Sequence, residues 1–253
     1  MKLGIWVGAF VLSIVMAGPA GAQSAPSPPS AATVLSNVQK YYANTNQLTA
    51  FFRQTVTLAT FSTSKSSDGK LWVAKPSYFR LDYMTTQKGN AVVTKSFVFD
   101  GTTLSVIDHD NKQITQSQAQ ASVLPAAVSF LTGGGALSSQ FNVALSTSGT
   151  HGGKTGLVLE LTPKQPSAQY KQLFFVVDPA NWRVKASIVV DSNGNTNQFD
   201  FFTPDVASAI KASWFQVAPA SLPTYKLVQL QAASALPSSS ASGSGSATPA
   251  HKH

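Results

Sequence analysis

Residues 69–83 read GKLWVAKPSYFRLDY, and this stretch decides the fold of the chain. Its second half alternates apolar and polar side chains, with Phe79, Leu81 and Tyr83 at every second position. A period of two is typical of a β-strand that buries one face and exposes the other. The pair Asp68-Gly69 at its start is a turn signal. We therefore predict strands joined by turns.

The same alternation recurs along most of the chain. Alternating runs cover residues 52–58, 141–145, 157–161 and 182–190. The pair Asn193-Gly194 between two runs is a strong hairpin signal. Further turn signals stand at Asp100-Gly101, Gly152-Gly153 and Asp178-Pro179. About ten strands joined in this way predict one antiparallel meander that curls into a barrel or half-barrel.

Two segments have helical spacing instead. In the first, one helix face carries Val34, Leu35, Val38, Tyr41 and Tyr42; Ser30 or Thr33 can cap its start, and Asn44 and Asn46 end it. The second, residues 124–131, reads LPAAVSFL and is followed by Gly133-Gly134-Gly135, which predicts a short helix with Pro at its start. Two apolar helices over the apolar face of a sheet predict a concave hydrophobic interior.

Composition limits the possible classes of protein. The 253 residues include no Cys and carry a formal net charge of +8, and only 11% of them are charged while 43% are apolar. Without Cys the chain has no disulfides, no Cys-ligated metal site and no Cys nucleophile. It is also not a lipoprotein itself, because the lipid anchor is attached to a Cys at the cleavage site.

The ends of the chain differ in composition from its middle. Residues 1–22 combine Lys2, an apolar run at 5–16 and Ala20-Gly21-Ala22, which is typical of a signal peptide cleaved before Gln23. We expect residues 23–30 to be a flexible lead-in and residues 31–231 to form one globular domain. Residues 232–253 are mostly Ser, Ala, Gly and Pro, which predicts a disordered tail. The leader predicts export to the periplasm.

Motifs for catalysis are weak. Ser62-x-x-Lys65 and Ser67-x-x-Lys70 match a Ser-x-x-Lys motif, but they fall in a predicted hairpin tip rather than at the start of a helix, where that chemistry needs the serine. Asp108-His109-Asp110 is interpreted as a polar turn rather than a metal site. Basic residues are spread singly, unlike those of a nucleic-acid interface. We expect no enzyme, no catalytic or metal site, no cofactor and no nucleic-acid partner.

The opening stretch resembles a known family. The pattern Gly-x-Leu-Trp-Val-x-Lys-Pro-x-x-Phe over residues 69–79 is similar to that of the periplasmic outer-membrane lipoprotein carriers, the LolA family. Weaker similarities follow in the same order, and together they cover about residues 31–220. They are Phe51-Phe52-Arg53-Gln54, residues 99–104, Leu124-Pro125, residues 159–164 and residues 215–219.

The resemblance implies an α+β, mainly β fold. The expected architecture is an unclosed antiparallel β-barrel, or half-barrel, with a helical lid over a hydrophobic cavity. Its implied acyl-chain cavity is lined by Phe52, Trp72, Phe79, Leu81 and Tyr83. Its implied lid carries Ala127, Val128, Phe130 and Leu131. Lys75 lies where many members have an Arg that latches the lid, and a Lys provides a point charge instead of a planar fork of donors.

The resemblance also implies a function. The chain would be a soluble, monomeric periplasmic carrier that takes acylated lipoproteins as cargo from an inner-membrane lipoprotein-releasing ABC transporter. It would deliver them to an outer-membrane acceptor lipoprotein. Two alternatives stay open on the residues alone: a carrier of another lipid or hydrophobic molecule on the same half-barrel, and a sensor domain of the cell envelope.

Overall fold

A computed structural model describes residues 29–118, 129–132, 137–149, 151, 156–167 and 170–230. The predicted signal peptide, most of the lead-in and the predicted tail lie outside the described residues. The helices are α1 (Ala31–Asn44), α2 (Leu137–Gln140) and three 3₁₀ helices, Ser129–Thr132, Ala212–Phe215 and Pro219–Ser221. None of the described helices is long and apolar enough to cross a membrane.

Twelve strands form one sheet. They are β1 (Gln47–Leu58), β2 (Thr63–Ala74), β3 (Tyr78–Gln87), β4 (Asn90–Phe99), β5 (Thr103–Asp108), β6 (Gln113–Gln118), β7 (Phe141–Leu145), β8 (Leu157–Pro163), β9 (Gln172–Val177), β10 (Val184–Val190), β11 (Thr196–Asp205) and β12 (Lys226–Leu230). Their order in the sheet is β12-β6-β5-β4-β3-β2-β1-β11-β10-β9-β8-β7. Two meanders, β1–β6 and β7–β11, therefore meet where β1 pairs with β11.

The sheet is open and almost entirely antiparallel. Only β12 runs parallel to its neighbour, β6, and in the described part of the chain the end strands β12 and β7 do not pair with each other. Buried residues from β1–β4 and β7–β11 nevertheless form one continuous core. The sheet therefore curls around that core without closing. The predicted mainly β, unclosed antiparallel barrel is confirmed.

Helix α1 covers the side of the sheet that we call the inner face. Ser30 caps the helix by accepting a hydrogen bond from the Thr33 backbone N–H. Val34, Leu35, Val38 and Tyr42 point inward and are buried. The Tyr42 hydroxyl accepts a hydrogen bond from the backbone N–H of Val184, 3.2 Å away, at the start of β10. Burial raises the pKa of Tyr42 well above its ordinary value.

The opposite side, the outer face, is partly covered by residues 211–225. Trp214 packs edge-on against Trp72 and Phe215 stacks on Tyr78. Further along, Val217, Leu222 and Tyr225 pack on a small cluster of Val98, Ile107 and Ile114. This segment leads into β12, so the end of the described chain is held across β2–β6.

Most predicted turns are present. Gly101 and Gly194 both have positive φ, as turns between strands require. Residues 178–182 also form a turn, closed by a 2.8 Å hydrogen bond from the Trp182 N–H to the Asp178 carbonyl, so β10 starts at Val184 rather than at Trp182. The pair Gly152-Gly153 lies outside the described residues.

The turn predicted at Asp68-Gly69 is wrong. Both residues lie inside β2, where Gly69 is directly opposite Phe52 of β1. A Cβ at position 69 would collide with the Phe52 ring and with the backbone carbonyl of Asp82. Gly is therefore required by close packing, not by a turn. The tip of this hairpin is at residues 59–62, so Lys65, Ser67 and Lys70 lie on a strand and not in the tip.

Gly69→Ala should destabilise the fold by about 2–3 kcal/mol, because an added methyl in a filled site forces neighbouring atoms apart. The measurement is urea unfolding followed by tryptophan fluorescence. The control is Gly89→Ala, where the added methyl meets open space and only the positive φ is unfavourable, at about 1 kcal/mol. Equal losses for the two variants would contradict the packing role of Gly69.

Tyr42→Phe should cost about 1–2 kcal/mol, because it leaves the buried Val184 N–H without its acceptor. The matched control is Tyr41→Phe, the neighbouring and less buried ring of α1. Thermal denaturation checks both variants. An unchanged melting temperature for Tyr42→Phe would show that water replaces the hydroxyl.

Candidate binding site

The inner face is lined with aromatic and aliphatic side chains from both meanders. Phe52 is near the centre, with ring centroids 5.2 Å from Tyr83 and 5.4 Å from Phe199. Phe79 lies 5.6 Å from Phe99 on the neighbouring strand. Each strand contributes every second residue, and the cluster that these described residues form at the buried centre of this face is hydrophobic. The surface suits apolar matter.

Four of the five predicted cavity residues share this face. Register places Phe79 opposite Val73, Leu81 opposite Leu71 and Tyr83 opposite Gly69, and Phe52 points to the same side. Phe52, Phe79 and Leu81 are buried, whereas Tyr83 is partly exposed. Tyr83 lies where the β2–β3 pairing ends, and we call this the open end of the face. Burial raises the pKa of Tyr83 to about 12.

Trp72, the fifth predicted cavity residue, lies on the outer face instead. It alternates with Leu71 and Val73, which point inward, and its strand partners are Thr49 and Arg80. Its ring contacts Trp214 and lies under the Lys70 ammonium and the Arg80 guanidinium. Trp72 therefore anchors the segment 211–225 to the outer face, and it does not line the inner face.

The predicted lid is described only in part. Ala127, Val128 and the glycines at 133–135 lie outside the described residues. Phe130 and Leu131 belong to the 3₁₀ helix Ser129–Thr132 and are buried against the inner face. The Phe130 ring lies 5.1 Å from Tyr42, 4.5 Å from Phe175 and 6.4 Å from Phe201. These two side chains thus fill the space between α1 and the sheet.

Lys75, the predicted latch, holds a different element. Its ammonium donates a hydrogen bond to the backbone carbonyl of Ala43, and its backbone N–H donates to the Asn46 carbonyl at 2.9 Å. A cation is favourable there, because the last carbonyls of a helix carry partial negative charge. Lys75 fixes the C-terminal end of α1 on β2. Its contact with the lid stays a prediction.

The open end of the face has a cleft that the sequence patterns did not indicate. The β2–β3 pairing covers residues 68–74 and 78–84 and stops there. Beyond it, β2 continues for residues 63–67 and β3 for residues 85–87, each within its own hairpin. We call the gap between residues 63–67 and 84–87 the inter-hairpin cleft.

The inter-hairpin cleft has a volume of about 930 Å³. Its apolar walls include Phe52, Tyr83 and Met84, and its rims carry Ser and Thr hydroxyls and Lys65. A second cavity of about 440 Å³ shares Lys65, Ser67, Tyr83 and Thr94 with it, and its other walls include Phe97 of the inner face and the charged residues Lys95 and Asp108. The cleft therefore connects the open end of the inner face with the outer surface. The cleft could not be predicted from the sequence, because the polar composition of residues 63–67 indicates a turn rather than a strand edge.

The predicted polar turn at Asp108-His109-Asp110 has a structural role. The His109 ring lies 3.1 Å from the Ser96 hydroxyl and 3.0 Å from the Tyr225 hydroxyl. Ser96 is completely buried, so this histidine fastens residues 211–225 to the sheet. Within the described ranges, no group of His, Cys, Asp or Glu residues is arranged to hold a metal ion.

Several solved structures resemble the chain in fold. An uncharacterized conserved protein from Thermus thermophilus is 10% identical, with a TM-score of 0.48 over 78% of this chain and 97% of that one. An outer membrane lipoprotein-sorting protein domain, described as putative, from Vibrio parahaemolyticus is 11% identical, with a TM-score of 0.41 over 74% and 97%. A chain of the Pseudomonas aeruginosa MucA/MucB complex is 17% identical, with a TM-score of 0.39 over 75% of this chain and 61% of that one.

A search of curated proteins found no match. The family model described as the outer membrane lipoprotein carrier protein LolA matches residues 43–218, from the end of α1 to the segment on the outer face. This range contains eleven of the twelve strands and more than half of the chain. The chain therefore belongs to the LolA family of outer membrane lipoprotein carrier proteins.

Proposed function

We propose that this chain is a periplasmic carrier of lipoproteins that makes and breaks no bond. It accepts acyl chains from an inner-membrane lipoprotein-releasing ABC transporter, shelters them on the inner face and passes them to an outer-membrane acceptor lipoprotein. The observation that carries the proposal is the family match over residues 43–218. Residues 1–22, which have the composition of a signal peptide, support export to the periplasm.

The physical task is to keep acyl chains out of water. Each methylene group costs about 0.8 kcal/mol when it is exposed, so a lipoprotein with three acyl chains needs a continuous apolar shelter. The inner face supplies aromatic and aliphatic surface from nine strands around one core. A shelter of this kind binds any saturated chain, because apolar contact has no directional requirement.

The 3₁₀ helix Ser129–Thr132 is the part of the shelter that has to move. Phe130 and Leu131 occupy the space between α1 and the sheet, so acyl chains reach the centre of the face only after these side chains leave. The Phe130 ring makes ring contacts with Tyr42, Phe175 and Phe201. Apolar contacts of this type can be replaced by contacts with an acyl chain at little cost in free energy.

Tyr83→Ser should weaken binding of a tripalmitoylated lipopeptide by about tenfold or more, since it removes an aromatic wall worth roughly 1.5–3 kcal/mol. The matched control is Trp214→Ser, which removes an aromatic ring from the outer face. Binding is measured by fluorescence titration, and bound lipids are identified by mass spectrometry of protein isolated from the periplasm. Equal loss in both variants would contradict the inner face as the site. Another lipid in place of acylated lipoprotein would favour the alternative carrier.

Phe130→Ala should strengthen lipopeptide binding, by up to about tenfold, because less apolar contact has to be displaced. The matched control is Phe215→Ala, a buried ring on the outer face. Both variants should lose about 3–5 kcal/mol of stability. Only Phe130→Ala should change affinity. Weaker binding by Phe130→Ala would show that this ring contacts the bound chain instead of occupying its place.

A further inference from the structure

The inter-hairpin cleft has two strand edges with no partner among the described residues. Residues 63–67 pair with β1 alone, and residues 85–87 pair with β4 alone. If the register of the β2–β3 pair continued past Asp68 and Met84, Ser67 would face Thr85 and Ser66 would face Thr86. Instead, the β3–β4 pair carries a bulge here: Tyr83 pairs with Lys95 and Met84 with Val93, so Thr94 is an extra residue on β4. A bulge bends its strand and re-aims it, so the β3–β4 hairpin turns away from β2.

Free strand edges are normally protected. Proteins shorten them, place charges or Pro on them, or cover them, because exposed N–H and C=O groups recruit other strands. Residues 63–67 contain one Lys and no Pro, and residues 85–87 contain neither charge nor Pro. The two edges face a cavity of about 930 Å³. This arrangement is that of a site for strand addition, in which an extended peptide pairs with an edge.

The lining of the cleft favours a peptide over another acyl chain. Ser66, Ser67, Thr85, Thr86 and Thr94 stand along it, together with the edge backbone. Methylene groups placed there would leave backbone N–H and C=O groups without partners, at about 1–3 kcal/mol for each. An extended peptide supplies both donors and acceptors. Its alternate side chains would meet Phe52 and Tyr83 on one side and Met84 and Phe202 on the other.

We propose that the inter-hairpin cleft binds, as an added β-strand, the extended peptide that follows the acylated residue of the cargo. This inference rests on the proposed carrier function, since it requires acyl chains on the inner face. The cavity of about 440 Å³ at the open end of that face shares Lys65, Ser67, Tyr83 and Thr94 with the cleft. A peptide attached to the sheltered chains therefore leaves the inner face through the cleft. Backbone pairing does not depend on the identity of the side chains, so one site can bind cargo peptides of many sequences.

The test compares three probes on the unmodified protein. The first is tripalmitoyl-S-glyceryl-cysteine carrying an eight-residue Ser/Asn peptide. The second is the same lipid as the cysteine amide, without a peptide. The third carries the same peptide with every backbone nitrogen methylated, which removes the N–H donors without changing the side chains. We expect the first probe to bind about tenfold more tightly than the other two.

Hydrogen–deuterium exchange locates the site. The first probe should slow exchange of amides in residues 63–67 and 85–87, and the other two probes should leave them unprotected. Equal affinity for all three probes, or protection elsewhere only, would overturn the cleft as a peptide site while the carrier function stands. Failure of all three probes to bind would overturn the carrier function, and this inference with it.

A reversible closure of the cleft gives an independent check. The chain has no Cys, so the double variant Ser67→Cys/Thr85→Cys has one possible disulfide, at the closed end of the cleft. Oxidation should remove the tenfold advantage of the peptide-bearing probe over the peptide-free lipid. The reduced form of the same variant is the control. If the oxidised form keeps the full advantage, the peptide binds elsewhere.

Discussion

The Phe52 ring lies directly over Gly69, and the rest of the structure depends on this contact. Phe52 is on the strand where the two meanders join, with Phe201 opposite it on β11 and Gly69 opposite it on β2. The missing side chain at position 69 lets the ring lie flat on the sheet and reach Tyr83 and Phe199. One aromatic side chain thus ties the two halves of the inner face into a single apolar surface.

The two faces of the sheet have separate roles. On the inner face, α1 is held by polar contacts through Tyr42 and Lys75, whereas Phe130 and Leu131 pack there in the apolar cluster. The outer face instead holds residues 211–225 by specific polar and aromatic contacts, among them His109 with Tyr225 and Arg80 with the Trp214 carbonyl. The segment on the outer face is therefore held by directional contacts, whereas Phe130 and Leu131 on the inner face are held by contacts without directional requirement. A carrier needs one face of each kind.

The fold was largely predictable because alternation reports burial directly. Strand β3, helix α1 and the open antiparallel sheet follow from period and capping, and residues 69–79 indicate the family. Three features did not follow. Gly69 looks like a turn residue, and only the position of a ring on another strand shows that it is needed for packing. The inter-hairpin cleft depends on where two neighbouring strands separate, which no local pattern records. The third is Trp72. The family resemblance assigns it to the cavity, whereas its alternation with Leu71 and Val73 places it on the outer face.

The pairing of β1 with β11 has a consequence for how the chain folds. Phe52 and Phe201 are cross-strand neighbours although nearly the whole described chain separates them in sequence. Contacts of such long range form late and make folding slow, because the intervening chain must be ordered first. If the chain is exported from its N-terminus, β1 emerges before β11. The edge of β1 that pairs with β11 then stays unpaired until β11 has emerged. Polar residues of β1, among them Arg53, Thr55 and Thr57, then also protect an unfinished sheet against the wrong partner.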